Sequence, residues 1–361
     1  MYSRREFGKL ALAGASLAVL PGRTMTADTK ALATVRGVKL GAITGAYGPF
    51  TTPPGGDVID AVLAISKQYG VGHVELANSL IEPPLGGVCA PAPRGGGPGG
   101  PQQGVAGTPG ASGAPGAQGG RGGRGGGGGN PCGVGGQVPA TIPEGYLQAR
   151  DGLRQWRLNA PLERFRQIRK KFDAAGVDVF SYVMTIGDDF TDAEIDAVYK
   201  HMQALGVDKF CTNQTRVGMA ARFAPFSDKY KIKAAFHTHA QSQDSNEISS
   251  PESLAKVLAL SRYFMVNLDI GWYFDGGNDP MAYLLAHPDR ITHLHVRDRA
   301  NGGGQADIGA GILKIDQMLK TVRDKKYNIA FILEQAGRTG ASDRNEGVRQ
   351  NIEWMKTVLN S

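Results

Sequence analysis

Cysteine is scarce in this 361-residue chain, which contains only three. Three thiols cannot build the disulfide framework on which small secreted domains depend, so that class of protein is excluded. Aromatic residues make up 7% of the chain and charged residues 20%, whereas 41% of the residues are apolar. That apolar fraction supplies a core for one large domain or two ordinary ones. It also excludes a chain that is disordered throughout.

Long apolar runs are missing as well, since no stretch reaches the roughly 18 residues that a membrane-spanning helix needs. A shorter apolar run, residues 10–20, follows Arg4 and Arg5 near the N-terminus. This arrangement resembles a twin-arginine export signal, although a short amphipathic helix is the alternative. We predict that residues 1–33 are a signal peptide cleaved near Thr34. The partner would be the twin-arginine export machinery, and the destination would be the periplasm.

Glycine is unevenly distributed, because 24 of the 52 glycines lie within residues 86–137. A segment of that composition cannot form a packed core, so we predict a disordered insert within a domain that spans residues 34–361. Cys89 and Cys132 bracket the insert and either pair or remain free thiols. Residues 1–33 hold five basic and two acidic residues, and the insert holds three arginines and no acid. Little of the net charge of +7 therefore belongs to the domain, and we expect no nucleic-acid partner.

Short apolar segments alternate with helical patterns along the domain. The segments predicted as strands are Val38–Ile43, Val74–Leu76, Val177–Met184, Asp208–Thr212, Ile232–Phe236, Met265–Ile270, Ile291–Val296 and Ile329–Leu333. Helical patterns cover residues 57–69, 162–175, 195–205, 280–286, 314–324 and 346–359, and another helix begins at Ser250-Pro251. Thr191 and Glu194 form a capping-box pattern. Eight alternating units predict an α/β fold, a (β/α)8 TIM barrel. An open doubly wound sheet is the alternative, but no glycine-rich phosphate loop follows the first strand.

Side chains capable of binding a metal follow strands five to eight of this predicted barrel. They are His237 and His239, Asp269, His293 and His295, and Glu334, while strand two carries Glu75. The carboxyl ends of the strands of a TIM barrel meet at one pocket. We therefore predict one divalent cation, Mn²⁺, Co²⁺ or Zn²⁺, bound by His237, Asp269, His295 and Glu334.

Three motifs in the second half of the chain carry a family resemblance. They are Leu268–Trp272, His293–Asp298 and Ile308–Gly311, and Glu334 follows them on strand eight. Together they resemble the xylose isomerase-like barrels of the sugar phosphate isomerase/epimerase family, over residues 38–359 apart from the insert. The resemblance implies a small sugar as substrate and a metal-dependent reaction.

The resemblance also implies that Asp269, His295 and Glu334 are metal ligands. His237 stands where ketose epimerases of the family have a glutamate that serves both as ligand and as proton-transfer group. In this respect the chain resembles the inosose dehydratase-like and keto-glycoside lyase-like members more closely. The resemblance therefore does not imply a symmetric epimerisation by two glutamates.

The function predicted from these residues is a metal-dependent sugar isomerase or epimerase that removes a proton next to a metal-bound carbonyl. The candidate bases are Glu334, His239 and Glu75, and the candidate substrate-binding residues are Trp272, His293 and Arg297. His239 has a second possible role as support for a ligand, and Arg297 as an ion-pair partner of Asp298. The alternative functions are a lyase or hydratase acting on 3-keto-glycosides or related keto-sugars, a non-catalytic sugar-binding barrel and an abasic-site endonuclease.

Overall fold

The computed structural model describes residues 33–52, 55–83, 144–214, 216–240 and 247–361. The predicted signal peptide up to residue 32, the predicted insert, and Cys89 and Cys132 lie outside the described residues, so these predictions stay predictions. Among the helices that the structure does describe, none has the length and apolar content to span a membrane.

Eight parallel strands form a closed barrel. They are β1 Val38–Ile43, β2 His73–Ala77, β3 Asp178–Val183, β4 Lys209–Thr212, β5 Lys233–His237, β6 Phe264–Asp269, β7 Ile291–Val296 and β8 Ala330–Leu333. Each strand pairs with the next, and β8 returns to pair with β1, with Phe331 opposite Leu40. The predicted TIM barrel is confirmed, because an open sheet would leave β1 and β8 unpaired with each other.

The helices of the described residues surround the barrel. They are α1 Val58–Gln68, α2 Tyr146–Asn159, α3 Leu162–Ala175, α4 Asp192–Leu205, α5 Val217–Tyr230, α6 Pro251–Leu258, α7 Ile270–Asp275, α8 Pro280–Ala286, α9 Ile315–Asp324 and α10 Arg344–Asn360. Three of them have no counterpart in the predicted pattern. The buried residues of α2 include Arg150 and Arg157, so it has no apolar stripe, and Pro225 interrupts the helical signal of α5. The third, α7, is only six residues long.

One predicted helix start is only half correct. The Thr191 side chain accepts a hydrogen bond from the Glu194 backbone N–H at 3.2 Å, as an N-cap should. The Glu194 carboxylate does not complete the capping box, because it accepts hydrogen bonds from Arg150 and Arg157 instead. Two buried guanidiniums outcompete a single backbone N–H for this carboxylate because the ion pairs are stronger.

Along each strand, side chains point alternately to the layer between strands and helices and to the barrel interior. Phe236 on β5 and Phe264 on β6 pack against Phe223 of α5, with ring centroids 5.9 and 5.4 Å from the Phe223 ring. Their side chains therefore point outward, to the layer between strands and helices. Since successive strand residues face opposite sides, His237 points into the barrel.

Candidate metal centre at the carboxyl ends of the strands

Four candidate ligands meet at the carboxyl end of the barrel. His237 is the last residue of β5, Asp269 is the last of β6, His295 lies opposite Asp269 on β7, and Glu334 follows β8. One donor atom from each lies within 4.8 Å of the others, and three of the four residues are buried. The structure thus brings together the four side chains that the sequence pattern singled out.

The distances define a compact set of donors. Glu334 Oε2 lies 3.0 Å from His295 Nδ1 and 4.0 Å from His237 Nε2. His237 Nε2 is in turn 4.0 Å from Asp269 Oδ2. The other oxygen of Asp269, Oδ1, accepts the Trp272 backbone N–H at 2.8 Å and caps α7. The start of α7 therefore holds the Asp269 carboxylate in place.

Arg297 lies against both carboxylates of this set. Its Nε donates to Asp269 Oδ2 at 2.8 Å, and its terminal nitrogen forms an ion pair with Glu334 Oε1. The guanidinium lies 5.2 Å from the Trp272 ring, and Arg299 lies 5.3 Å from the same ring. In this arrangement Trp272 orients Arg297 by cation–π contact. A role for either residue in substrate binding remains a proposal.

Asp298 is not the partner of Arg297. Its carboxylate accepts backbone N–H groups from Arg299, Gly309, Gly311 and Leu313, at 2.8 to 3.3 Å. The ion pair considered from the sequence is therefore wrong. A side chain at Gly311 would collide with Asp298, which explains why the loop has glycine there. Asp298 orders the loop after β7, while Arg297 faces the centre.

Burial and neighbouring charges set the protonation of the four donors. Burial raises the pKa of Asp269 to about 7, against the opposing effect of Arg297. Burial would also raise the pKa of Glu334, but Arg297 and His295 hold it well below its usual range. Burial lowers the pKa of His237 well below its usual value, so this imidazole is neutral. Burial opposes charge on His295 too, but Glu75 and Glu334 raise its pKa to about 10.

Glu75 lies one layer deeper in the barrel interior. It is 1% exposed. Its Oε1 is 3.0 Å from His295 Nε2, and its Oε2 is 3.0 Å from His293 Nε2. Ser181 donates a hydrogen bond to Oε2 at 2.5 Å. A carboxylate engaged by three side chains has no free oxygen for proton abstraction, so the geometry does not support Glu75 as a base. His293 is also fully buried at this depth, so a substrate does not reach it.

His239 lies beyond the end of β5, at the rim of the centre. Its ring centroid is 4.8 Å from that of His237, and its Nδ1 is 3.4 Å from Glu247 Oε1. The His239 side chain is 28% exposed, whereas His237 is 5% exposed. A substrate can therefore reach His239 from the barrel mouth, and a carboxylate stands behind its imidazole.

Two residues near the candidate metal centre were not predicted from the sequence. The Asn267 amide nitrogen lies 3.0 Å from His295 Nε2 and 3.3 Å from His237 Nδ1. Asn267 precedes Asp269 by two positions on β6, so strand alternation was a usable signal that both point inward. No such pattern pointed to Glu247, because no strand or helix periodicity relates it to His239.

The donor set fits a divalent cation of the first transition series. Two carboxylates and two imidazoles are the ligands that such ions prefer in proteins. Ligands on opposite sides of an ion with bonds of about 2.1 Å lie about 4.2 Å apart, so separations of up to 4.8 Å require only small side-chain adjustments.

Comparison with known families agrees with this architecture. Residues 216–358 match the family described as a xylose isomerase-like TIM barrel. The matched segment is less than half of the chain, but it contains β5 to β8 and all four candidate ligands. No curated protein matches the sequence.

Three solved structures with a similar fold have low sequence identity to this chain. A sugar phosphate isomerase/epimerase from Parabacteroides distasonis is 18% identical, with 53% of this chain and 75% of that chain covered and a TM-score of 0.41. A probable 3-DHS dehydratase from Bacillus anthracis is 10% identical, with coverage of 88% and 98% and a TM-score of 0.49. A 3-keto-D-glucoside 4-epimerase from E. coli is 13% identical, with coverage of 62% and 98% and a TM-score of 0.44. Similarity at this level assigns no reaction to the chain.

Proposed function

We propose that this chain is a divalent-metal-dependent isomerase or epimerase of a keto-sugar, which removes a proton from the carbon next to the carbonyl. The observation that carries the proposal is the convergence of His237, Asp269, His295 and Glu334 within 4.8 Å at the barrel mouth. When bound, a divalent cation polarises a carbonyl oxygen and acidifies the neighbouring C–H bond.

Glu334 is the proposed proton acceptor. Its Oε2 belongs to the donor set, whereas its Oε1 contacts Arg297. Glu334 is ionised, as a base must be, although Arg297 lowers the pKa of this carboxylate and with it the intrinsic basicity. Arg297 also supplies N–H donors beside this carboxylate, so it stabilises negative charge that develops on a sugar oxygen.

His239 is the proposed second proton-transfer group. An isomerase or epimerase removes a proton from one position of the sugar and returns a proton at another position or on the opposite face. Glu334 by itself reaches only one of these positions. His239 follows β5 and Glu334 follows β8, so the two groups approach the centre from different strands. The Glu247 carboxylate stands 3.4 Å from His239 Nδ1, behind the imidazole.

A lyase acting on 3-keto-glycosides is the second candidate, and one observation favours it. His237 supplies an imidazole at β5, so Glu334 and Asp269 are the only carboxylates of the four-residue set. Asp269 is held by Arg297 and the α7 N-terminus, and Glu334 is held by Arg297 and His295, but only Glu334 is proposed as a base. A single base suits elimination, in which His239 protonates the leaving group at the exposed rim.

Deuterium exchange separates these outcomes. The protein is stripped with a chelator, reloaded with Mn²⁺, Co²⁺ or Zn²⁺, and incubated in D₂O with ketohexoses and 3-keto-glucosides. An isomerase or epimerase yields a rearranged sugar carrying deuterium, and a lyase yields an enone and a free aglycone. Absence of deuterium uptake with every sugar and metal would contradict both candidates. Glu334→Gln, which keeps the side-chain size, is the matched inactive control.

Export of the protein is also proposed, on the basis of Arg4 and Arg5 before the apolar residues 10–20. Cell fractionation of the full chain tests it. The wild-type protein should appear in the periplasm and the double variant R4K/R5K in the cytoplasm. Equal distribution of the two proteins would contradict the proposal.

A further inference from the structure

The Glu75 side chain connects two strands that are not neighbours in the barrel. Glu75 is on β2, and the two imidazoles it approaches, His293 and His295, are both on β7. Strands β1 and β8 lie between them in the sheet order, so the contact crosses the barrel interior. Ser181, opposite Glu75 on the neighbouring β3, donates to Oε2 and fixes the carboxylate from the other side.

The two nitrogens of His295 face different carboxylates. Nε2 is 3.0 Å from Glu75 Oε1, and Nδ1 is 3.0 Å from Glu334 Oε2 within the candidate donor set. An imidazole ring is rigid, so a hydrogen bond that holds one nitrogen also determines where the other points. A half-turn of the ring would replace Nδ1 by a carbon at the donor set and would break the bond to Glu75.

We propose that Glu75 is a positioning residue that accepts the Nε2–H of His295 and thereby fixes Nδ1 as the nitrogen available to a bound cation. This inference rests on the proposed function. Carboxylates that accept the second N–H of a metal-binding histidine fix its tautomer and orientation and make it a stronger donor. The role replaces the one considered from the sequence, because Glu75 acts through His295 without touching the substrate.

A different use of the same residues must be separated from this one. Glu75, Cys211, His293 and His295 also have donor atoms within 4.8 Å of one another, which is compatible with a second cation. However, Glu75 already accepts from Ser181 and His295, and Cys211 Sγ accepts from Asn267 at 3.0 Å. The cluster also lies one layer below the barrel mouth, where a substrate does not reach it, so the positioning role is favoured and the Co²⁺ stoichiometry tests it.

Cobalt binding provides the test, because Co²⁺ reports both affinity and ligand geometry through its visible absorption. Full-length chelator-treated protein is titrated with Co²⁺ as wild type, Glu75→Gln, Ser181→Ala and Glu82→Gln. Glu75→Gln should bind one equivalent with affinity lowered by about 10- to 100-fold and with an altered spectrum. Ser181→Ala, which loosens Glu75 but leaves it in place, should show a smaller loss.

Glu82→Gln is the matched control, because Glu82 is another buried glutamate, paired with Arg157 and Asn78. It should lose thermal stability and keep the wild-type Co²⁺ affinity and spectrum, which separates positioning from a merely structural effect. If Glu75→Gln does not fold, Ser181→Ala decides by itself. Unchanged affinity and spectrum in the Glu75 and Ser181 variants would overturn the proposal.

The Co²⁺ stoichiometry of wild type, together with the effect of Glu75→Gln, distinguishes this inference from the proposed function. If wild type binds no Co²⁺, both fail together. If wild type binds two equivalents and Glu75→Gln binds one, Glu75 is itself a ligand and the positioning role is overturned. One equivalent in wild type with unaltered binding in Glu75→Gln leaves the proposed function standing and removes only the role of Glu75.

Discussion

Arg297 Nε donates a hydrogen bond to Asp269 Oδ2 at 2.8 Å, although the two residues are 28 positions apart in the sequence. The pair joins the end of β6 to the end of β7 and sets a permanent positive charge beside the candidate ligands. Asp269 thus has a cation partner on one oxygen and the α7 N-terminus on the other. Its position is determined before any metal binds.

Replacement of Asp269 should remove metal binding. Asp269→Ala takes away one of two carboxylate donors, and we expect the affinity for Co²⁺ to fall by more than about 100-fold, beyond the effect of losing a residue that only supports a ligand. Isothermal titration calorimetry measures the affinity, and circular dichroism checks the fold. Asp275→Asn, which disturbs the ion pair with Arg299, is the control and should bind normally. Normal binding by Asp269→Ala would refute the ligand assignment.

Removal of the Arg297 charge should impair turnover. Arg297→Met keeps an unbranched side chain but loses the charge and the donors beside Glu334, and we expect kcat to fall by about 100-fold. Steady-state kinetics on the substrate found by deuterium exchange gives the value. Arg299→Met tests specificity, because Arg299 shares the contact with Trp272 but pairs with Asp275. Equal losses in the two variants would indicate that Arg297 acts only through the stability of the loop.

Substitution of His239 should separate catalysis from metal binding. His239→Asn keeps a polar side chain at the rim but cannot transfer a proton, and we expect turnover to fall by about 100-fold or more. Metal affinity should be unchanged, since the Nε2 of His237 and not His239 belongs to the donor set. A loss of metal affinity instead would show that His239 supports a ligand. No change in either quantity would exclude it from the mechanism.

Removal of residues 90–131, most of the predicted insert, should leave the barrel folded. Glu82, shortly before the insert, pairs with Arg157 of α2 at 2.6 Å, and Glu194 joins the same buried network. These ion pairs hold the flanking segments together independently of the residues between them. The free-energy cost of closing a loop changes by only about 0.6 kcal/mol per doubling of loop length. Thermal unfolding checks this, and a drop of more than about 10 °C in the deletion variant would contradict it.

Stability should decrease at acidic pH because of His201. Burial lowers the pKa of this imidazole from 6.5 to about 4, and its ring stacks on Phe165 with centroids 4.2 Å apart. The unfolded chain binds a proton near pH 6.5 while the folded chain does not, so the free energy of unfolding falls between pH 6.5 and 4. The loss is roughly 3 kcal/mol at most. Chemical unfolding measures it, and His201→Phe should remove this part of the pH dependence. An identical pH profile for both proteins would contradict the assignment.

Local patterns were sufficient for most of the barrel. The predicted bounds of β1, β7, α3 and α8 agree with the structure, because alternation, apolar periodicity and helix stops such as Gly176 are properties of neighbouring residues. The helix α2 escaped prediction because its buried arginines face Glu82 and Glu194, which lie 75 and 37 positions from Arg157. A helix that buries a polar face can be predicted only when the residues that pair with that face are known.

The candidate ligands were predictable for the same reason that the barrel was. Residues that end consecutive parallel strands must converge, so the order of His237, Asp269, His295 and Glu334 along the chain already implied a common pocket. The partners of Arg297, Glu75 and His239 were not implied. Each of these contacts depends on the side-chain rotamer. More than one acidic side chain lies within reach of each basic one, and the sequence does not show which of them makes the contact. Sequence neighbours suggested Arg297 with Asp298, whereas the tertiary structure joins Arg297 to Asp269 and leaves Asp298 to the backbone of its loop.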